Sequence, residues 1–429
     1  MKQLSHLLIV NGDRRAALVA IIGPRWLLPV VTCSERARGA PLVARWCAER
    51  GIAADVVGQW LGRVTADAID WLVAIVAAPD TVVSDSALEW RALDGLLSNP
   101  SVLEYQAWAV ARALVRGALP SVEGPFGNLS WPDDVRTWIA EAMGSTVTSL
   151  TPYRVGAYEV VLDADCAGGR VYFKGLAGER ATEPRLTQEL ARMAPESFAR
   201  TLAMEPREDG TVWWLTAACP GLSGGNAHGA AGTLARLQQR VFALDALPDL
   251  TALDLEAAAT WAGELLGESP VADVVRQQCA RVMSADVPAT WIPMDLDPSN
   301  VLIDDDGRVR FIDVDDSFLG PAPLAVTTLA LRSACGARSA RGARPSGRAI
   351  YRTWELAWSS ALTGLDWVAF ETASIVVQSW LGWRRLERHI ARGEVYVDRD
   401  LAAERTRQRL TRAIGAVWPC RSRPDDPAV

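Results

Sequence analysis

The first third of the chain is built from short apolar runs separated by turn formers: LLIV at 7–10, LVAII at 18–22 and LLPVV at 27–31. Such runs between Gly, Pro, Asn and Asp predict strands. Further strand-like runs follow at 56–64 (VVGQWLGRV), 71–78 (WLVAIVAA) and 88–93 (LEWRAL). One helix interrupts them, carrying LVARWCAER at 42–50, with Ser34 as its cap and Gly51 as its stop. Residues 117–133 are rich in Pro and Gly and read as a linker. WPDDVRTWIAEAMG then predicts an amphipathic helix with acidic residues in its first turn.

A second set of strands begins near 147. VTSLTPYRVGAYEVVLDADCAGGRVYFKGLA reads as two or three antiparallel strands, turning at DADCAGG. A helix is expected from about Thr182, with Pro184 in its first turn. TVWWLTAACPGLSGG reads as a buried strand running into a Gly-rich connector. From 227 onward the pattern is helical, broken by a strand-like hairpin at 291–316 and by an Arg-, Gly- and Ser-rich loop at 334–348. No internal repeat is evident.

With 429 residues, two to four domains are expected. Apolar residues make up 49% and charged residues 22%, which places the chain among globular proteins. A formal charge of −7 argues against nucleic acid as a partner. No apolar run reaches a membrane span, and the one at the start is too short for a signal peptide. The 7 cysteines are scattered, without a CxxC pair. Together these features predict a reduced, cytoplasmic protein with no membrane partner.

Two features carry chemistry. Only Lys2 and Lys174 are lysines among the 44 basic side chains, so one lysine remains in the body of a chain that otherwise uses arginine. Lysine is a compact point charge suited to a phosphate. The second feature is WIPMDLDPSNVLIDDDGRVRFIDVDD, residues 291–316, which sets eight carboxylates and one asparagine among apolar residues. Asp304, Asp305 and Asp306 are ordinary turn residues. Asp295, Asn300 and Asp313 are not, because they close apolar runs where unpaired charge is costly. Phosphoryl transfer needs a cation on the phosphates, hard oxygen ligands for a metal, and a carboxylate to orient the attacking hydroxyl. Lys174 on a strand, Glu183 nine residues later at a helix start, Asp295, Asn300 and Asp313 supply these in chain order.

The stretch Pro293-Met-Asp-Leu-Asp-Pro-Ser-Asn300, followed by Ile312-Asp-Val-Asp315, resembles the catalytic loop of aminoglycoside phosphotransferase-like (choline kinase-like) small-molecule kinases, over roughly 133–420. There the loop reads His-Gly-Asp-Leu-His-Pro-Gly-Asn and is followed by Ile-Asp-Trp-x-Asp. The resemblance implies an α+β, bilobal protein-kinase-like fold that uses ATP and Mg²⁺. It implies Asp295 as the base for a small-molecule hydroxyl acceptor, Asn300 and Asp313 as Mg²⁺ ligands, Lys174 on the α/β-phosphates and Glu183 as its partner, with Glu189 as the alternative. TVWWLTAACPG would be the hinge that receives adenine. Pro293 and Asp297 stand where the family has histidines, and TPYRVGAYE has one glycine where protein kinases have three. These departures keep open a pseudokinase or a nucleotide-binding interaction module without turnover. A protein kinase is disfavoured, since the chain after Asp313 runs straight into helix without a long activation segment.

Residues 27–64 and LEWRALDGLL resemble a Nudix fold whose helix is degenerate. The metal-binding glutamates of that family fall on Arg45, Ala48 and Glu49, so the resemblance implies the scaffold and not the hydrolase. The expected organisation is a Nudix-like α/β domain at 1–120, a linker and helix at 121–145, a kinase-like N-lobe at 146–220 and a mostly helical C-lobe at 221–429. Trp354 and Trp358, one turn apart, predict a buried stripe rather than a ligand stack. His228 reads as incidental; the other histidines are His6 and His389. Arg332, Arg338, Arg341, Arg344, Arg348 and Arg352 follow one another without an intervening Asp or Glu, which predicts a neutral or anionic acceptor.

Overall fold

A computed structural model describes residues 2–22, 25–33, 39–64, 68–78, 81–98, 110–112, 115, 125–127, 131–156, 158–219, 221–223, 227–244, 247, 250–336, 347–358, 362, 364–391 and 399–417. It is an α+β structure that divides into two compact units. The first comprises 1–181, 201–218 and 387–397, and the second 182–200, 219–386 and 398–429.

The first unit holds two sheets. Strands β1 (Lys2–Val10), β2 (Ala16–Ile22), β3 (Arg25–Leu27), β4 (Val30–Cys33), β5 (Ala54–Val64), β6 (Ala68–Ala77) and β7 (Leu88–Ala92) form a seven-stranded mixed sheet. Its centre is the parallel pair β1–β6, running from Lys2↔Ala68 to Val10↔Val76. The run LLIV is continuous because both faces of β1 are covered. Leu7 and Ile9 pack on one side with Val43 and Cys47 of helix α1 (Gly39–Ala48), whereas Leu8 and Val10 pack on the other with Leu93 and Leu96 of helix α2 (Leu93–Leu97). Ser34, read as the cap of α1, lies outside the described residues.

The second sheet is five-stranded and antiparallel, in the order β11-β12-β10-β9-β8. Its strands are β8 (Val147–Val155), β9 (Glu159–Cys166), β10 (Gly169–Ala177), β11 (Thr201–Pro206) and β12 (Thr211–Ala217). Helix α3 (Trp131–Met143) covers one face. Trp138 meets Phe173 and Trp213 edge-on, with ring centroids 5.8 and 5.6 Å apart, and Phe173 meets Trp213 at 5.6 Å. These rings join the same core as Leu7, Ile9 and Val43, so residues from the 1–120 and 146–220 stretches share one hydrophobic cluster.

The second unit is mostly helical: α4 (Glu183–Met193), α5 (Ala227–Leu244), α6 (Leu255–Leu266), α7 (Pro270–Met283), α8 (Pro323–Gly336), α9 (Gly347–Trp358), α10 (Trp367–Ala391, whose last five residues are counted with the first unit) and α11 (Arg399–Val417). Two small sheets interrupt it: β13 (Leu222–Ser223), β15 (Val301–Ile303) and β16 (Val309–Phe311) in one, β14 (Ala289–Pro293) and β17 (Ser317–Pro321) in the other. Gln238 of α5 ties them to the helices. Its fully buried amide donates to the carbonyls of Trp291 (3.0 Å) and Ala322 (3.1 Å) and accepts from Trp354 Nε1 (2.9 Å). Trp354 and Trp358 are buried and stacked at 5.1 Å. Of the loop expected at 334–348, both ends are helical, since α8 runs to Gly336 and α9 starts at Gly347, and 337–346 lie outside the described residues. Among the described residues, no helix is long and apolar enough to cross a membrane.

Candidate functional site

The 291–316 segment folds as two nested antiparallel pairs. The outer pair is β14–β17, with Pro293 opposite Ser317, and Met294 N–H extends it to the carbonyl of Asp316 at 2.8 Å. The inner pair is β15–β16, with Val301 opposite Phe311. Ile312 N–H continues this ladder to the carbonyl of Asn300 at 3.0 Å. Asn300 and Asp313 therefore leave the same end of one hairpin. The turn at the other end is made by Asp304, whose carboxylate accepts from Asp306 N–H (3.1 Å) and Arg308 N–H (2.8 Å), as its sequence suggests.

Between the two pairs lies the loop that carries Asp295. Its carbonyl accepts from Asn300 Nδ2 at 2.9 Å and from Asp297 N–H at 2.8 Å. Asn300 is 5% exposed, so this bond closes the loop from inside. Asp297 is a cap: its carboxylate accepts from Ser299 N–H (2.9 Å) and Ser299 Oγ (2.8 Å) and starts the helical turn Pro298–Asn300. A carboxylate does this work where a histidine would stand in the resembled family. Pro293, at the other histidine position, ends β14, and the Met294–Asp316 bond holds the backbone beside it.

Asp313 has φ of 61°, a left-handed conformation that only Arg14 shares among the described non-glycine residues. Asp tolerates this better than most residues, but it persists where the surroundings enforce it. The brace follows directly in the chain: Trp291 Nε1 donates to Ser317 Oγ at 2.8 Å, and that hydroxyl donates to the carbonyl of Val314 at 2.7 Å. Asp316 is ion-paired with Arg385 of α10.

Burial pushes the Asp295 carboxyl above the usual carboxylate range. Arg332 and Arg385 oppose this, while Asp316 and Asp313 add to it. Arg332 of α8 places Nη2 3.7 Å from Asp295 Oδ1. Neither Arg332 nor Arg385 was singled out for this position by sequence, because the helices that bring them here lie 37 and 90 residues downstream of Asp295.

Lys174 sits in the centre of the five-stranded sheet, opposite Trp214 and Val161, with Nζ 5.7 Å from the Trp214 ring centroid. On the same face, two residues along β9 from Val161, the buried Glu159 pairs with Arg180 (2.5 Å) and Arg154 (3.0 Å). Glu183 is 1% exposed and opens α4 in the second unit, whereas Lys174 belongs to the first. Glu189, the alternative partner, pairs with Arg192 at 2.7 Å. Just past the end of α1, the one carboxylate at the Nudix-like positions, Glu49, pairs with Arg45 at 3.8 Å. His228 Nδ1 lies 3.3 Å from Thr353 Oγ1.

A magnesium ion needs hard oxygen ligands, and Asn300 and Asp313 offer a carboxamide oxygen and a carboxylate. Asn300 uses Nδ2 on Asp295, which leaves its carboxamide oxygen as the acceptor atom of that side chain. Among the described residues no three His, Cys, Asp or Glu side chains gather as a metal site.

No protein-family model and no curated protein matches this chain. Among solved structures it is similar to a choline kinase from Streptococcus pneumoniae, at 13% identity over 67% of this chain and 99% of that one, with a TM-score of 0.47. An aminoglycoside 2′-phosphotransferase crystallised with GDP matches at 13% identity over 67% and 97%, with a TM-score of 0.47. A spectinomycin phosphotransferase crystallised with ADP and spectinomycin matches at 9% identity over 66% and 98%, with a TM-score of 0.45.

Proposed function

We propose that this chain is an ATP- and Mg²⁺-dependent phosphotransferase of the kinase-like class that moves the γ-phosphate to a hydroxyl of a small molecule. The observation that carries this reading is the Asp295–Asn300–Asp313 arrangement: one side-chain bond orients the loop of Asp295, and one strand ladder sets Asp313 beside Asn300. Asp295 orients the acceptor hydroxyl and takes its proton as the oxygen bonds to the γ-phosphorus. The bond from that phosphorus to the β,γ-bridging oxygen breaks, and ADP leaves. A carboxyl raised by burial is a better base near neutral pH than an exposed aspartate. Asn300 and Asp313 hold Mg²⁺, which neutralises phosphate charge when bound. Lys174 is assigned to the α/β-phosphates. The N-terminal sheet with α1 serves as a Nudix-like scaffold without hydrolase chemistry, since Glu49 faces Arg45.

A second reading, a nucleotide-binding module without turnover, is favoured by Arg332, whose cation lies close enough to Asp295 to weaken it as a base. The two are separated by measuring the thermal shift of the protein with ATP and Mg²⁺ alongside ADP release over a panel of hydroxyl acceptors. A shift with acceptor-dependent ADP release supports the enzyme, and a shift without release supports the module. No shift removes both.

A further inference from the structure

We propose that Arg332 is an anion-recognition residue, so that the acceptor carries a carboxylate beside the hydroxyl it presents to Asp295. This rests on the phosphotransferase reading above and names its substrate class: a small 2- or 3-hydroxy acid.

The first argument is the separation. At 3.7 Å, Arg332 Nη2 is near Asp295 Oδ1 but beyond the 2.7–2.9 Å of a charge-assisted hydrogen bond. The guanidinium is close to the carboxylate without being docked on it. Its stem is held instead. Arg332 Nε donates to Gln378 Oε1 at 3.0 Å, Gln378 Nε2 donates to Thr328 Oγ1 at 3.2 Å, and Thr328 Oγ1 donates to the Leu324 carbonyl at 3.0 Å. A guanidinium has five N–H groups in one plane, and the Gln378 bond uses one. With the Arg332 side chain 40% exposed and that of Asp295 30% exposed, a ligand can reach both. A pre-oriented fork of this kind suits a carboxylate, which it binds through two parallel hydrogen bonds.

The second argument is what the neighbouring charges are already doing. Asp316 is paired with Arg385, Asp313 is assigned to the metal, and Asp295 takes the proton. Arg332 is the charge that this scheme leaves for the acceptor. An ammonium group placed beside the reacting hydroxyl would find no acceptor on the guanidinium, which only donates, whereas a carboxylate accepts from it. Size follows from reach. A hydroxyl within about 3 Å of Asp295 and a carboxylate within about 3 Å of Arg332 must sit close together when the two side chains are 3.7 Å apart, which fits one or two carbons between them.

The test uses the full chain and two measurements. Calorimetric titration without nucleotide compares glycerate, lactate and malate with glycerol as the neutral arm and ethanolamine as the cationic arm. ADP release is then followed for the same compounds with ATP and Mg²⁺. At least one hydroxy acid is expected to bind where glycerol and ethanolamine do not. Arg332→Gln should weaken that binding at least tenfold, whereas Arg276→Gln, which removes an exposed arginine paired with Asp273, should leave it unchanged. Should the glutamine variant not fold, Arg332→Lys keeps the charge and loses the fork, and is expected to weaken binding severalfold. Hydroxy acids that bind no better than glycerol, or binding indifferent to Arg332, would overturn the inference. ADP release with glycerol or ethanolamine but with no hydroxy acid also overturns it and leaves the phosphotransferase standing. Arg332-dependent binding of a hydroxy acid without ADP release from any acceptor removes the phosphotransferase and leaves the anion site.

Discussion

Asn300 reaches back five residues and donates its Nδ2 to the carbonyl of Asp295 at 2.9 Å. One side chain thus ties the loop of the candidate base to the start of the β15–β16 hairpin. Asn300→Ala should lower unfolding free energy by about 0.5–1.5 kcal/mol in the absence of nucleotide, because the Asp295 carbonyl loses one of its two partners and keeps the bond from Asp297 N–H. It should also weaken the Mg²⁺ dependence of ATP binding. Urea unfolding and nucleotide titrations at several Mg²⁺ concentrations read the two effects separately, and an unchanged urea midpoint would show that the bond does not hold the loop.

Asp295→Asn keeps the size of the side chain and removes its capacity to accept a proton. Turnover is expected to fall by about 10²–10⁴, or about 3–5 kcal/mol of barrier, with ATP affinity close to the parent. Equal turnover in the variant would mean that another group takes the proton.

Gln238→Leu should be among the most damaging single changes in the second unit. It leaves the carbonyls of Trp291 and Ala322 and the indole N–H of Trp354 without the amide they share. Three stranded polar groups at about 1–3 kcal/mol each, partly relieved by rearrangement, make a loss of about 3 kcal/mol a lower expectation. Chemical denaturation measures it; a loss under 1 kcal/mol would contradict the network.

Glu371 gives a pH signature. Burial raises its carboxyl above the ordinary value, more than the 2.5 Å hydrogen bond from Tyr351 lowers it. The folded state therefore holds this proton more tightly than the unfolded chain does. The stabilisation is fully present below the ordinary carboxylate pKa and is lost as pH rises through the raised folded value. Glu371→Gln keeps an acceptor for Tyr351 and removes the titration. Its stability relative to the parent should rise between pH 4.5 and 7.5, and a difference independent of pH would refute the assignment.

Gly221→Ala tests the approach of the connector to the β15–β16 hairpin. Gly221 has φ of +121°, and an added Cβ would stand 2.5 Å from the carbonyl oxygen of Ile303. The clash is with backbone, in a conformation that alanine avoids, so a loss of about 2 kcal/mol or more is expected in thermal or urea unfolding.

Much of this was legible along the chain. The strand–turn–strand character of 291–316, the buried Trp354–Trp358 stripe and the antiparallel set around Lys174 all follow from local spacing. Periodicity and turn chemistry act between residues close in sequence. The site candidates Asp295, Asn300 and Asp313 were visible for the same reason, as polar residues placed where a strand would have none. Tertiary structure decided what distance along the chain conceals. Leu7 and Leu8 could not reveal by pattern which face meets α1 and which meets α2, because a strand buried on both sides shows no alternation. The 1–120 and 146–220 segments look independent in sequence, yet Val43 and Phe173 belong to one core. Arg332 and Arg385 act on Asp295, and Gln238 and Ser317 hold Trp291 four residues before it, only because helices and strands far apart in sequence pack together. Burial and Coulomb interaction depend on distance in space, and no local pattern encodes it.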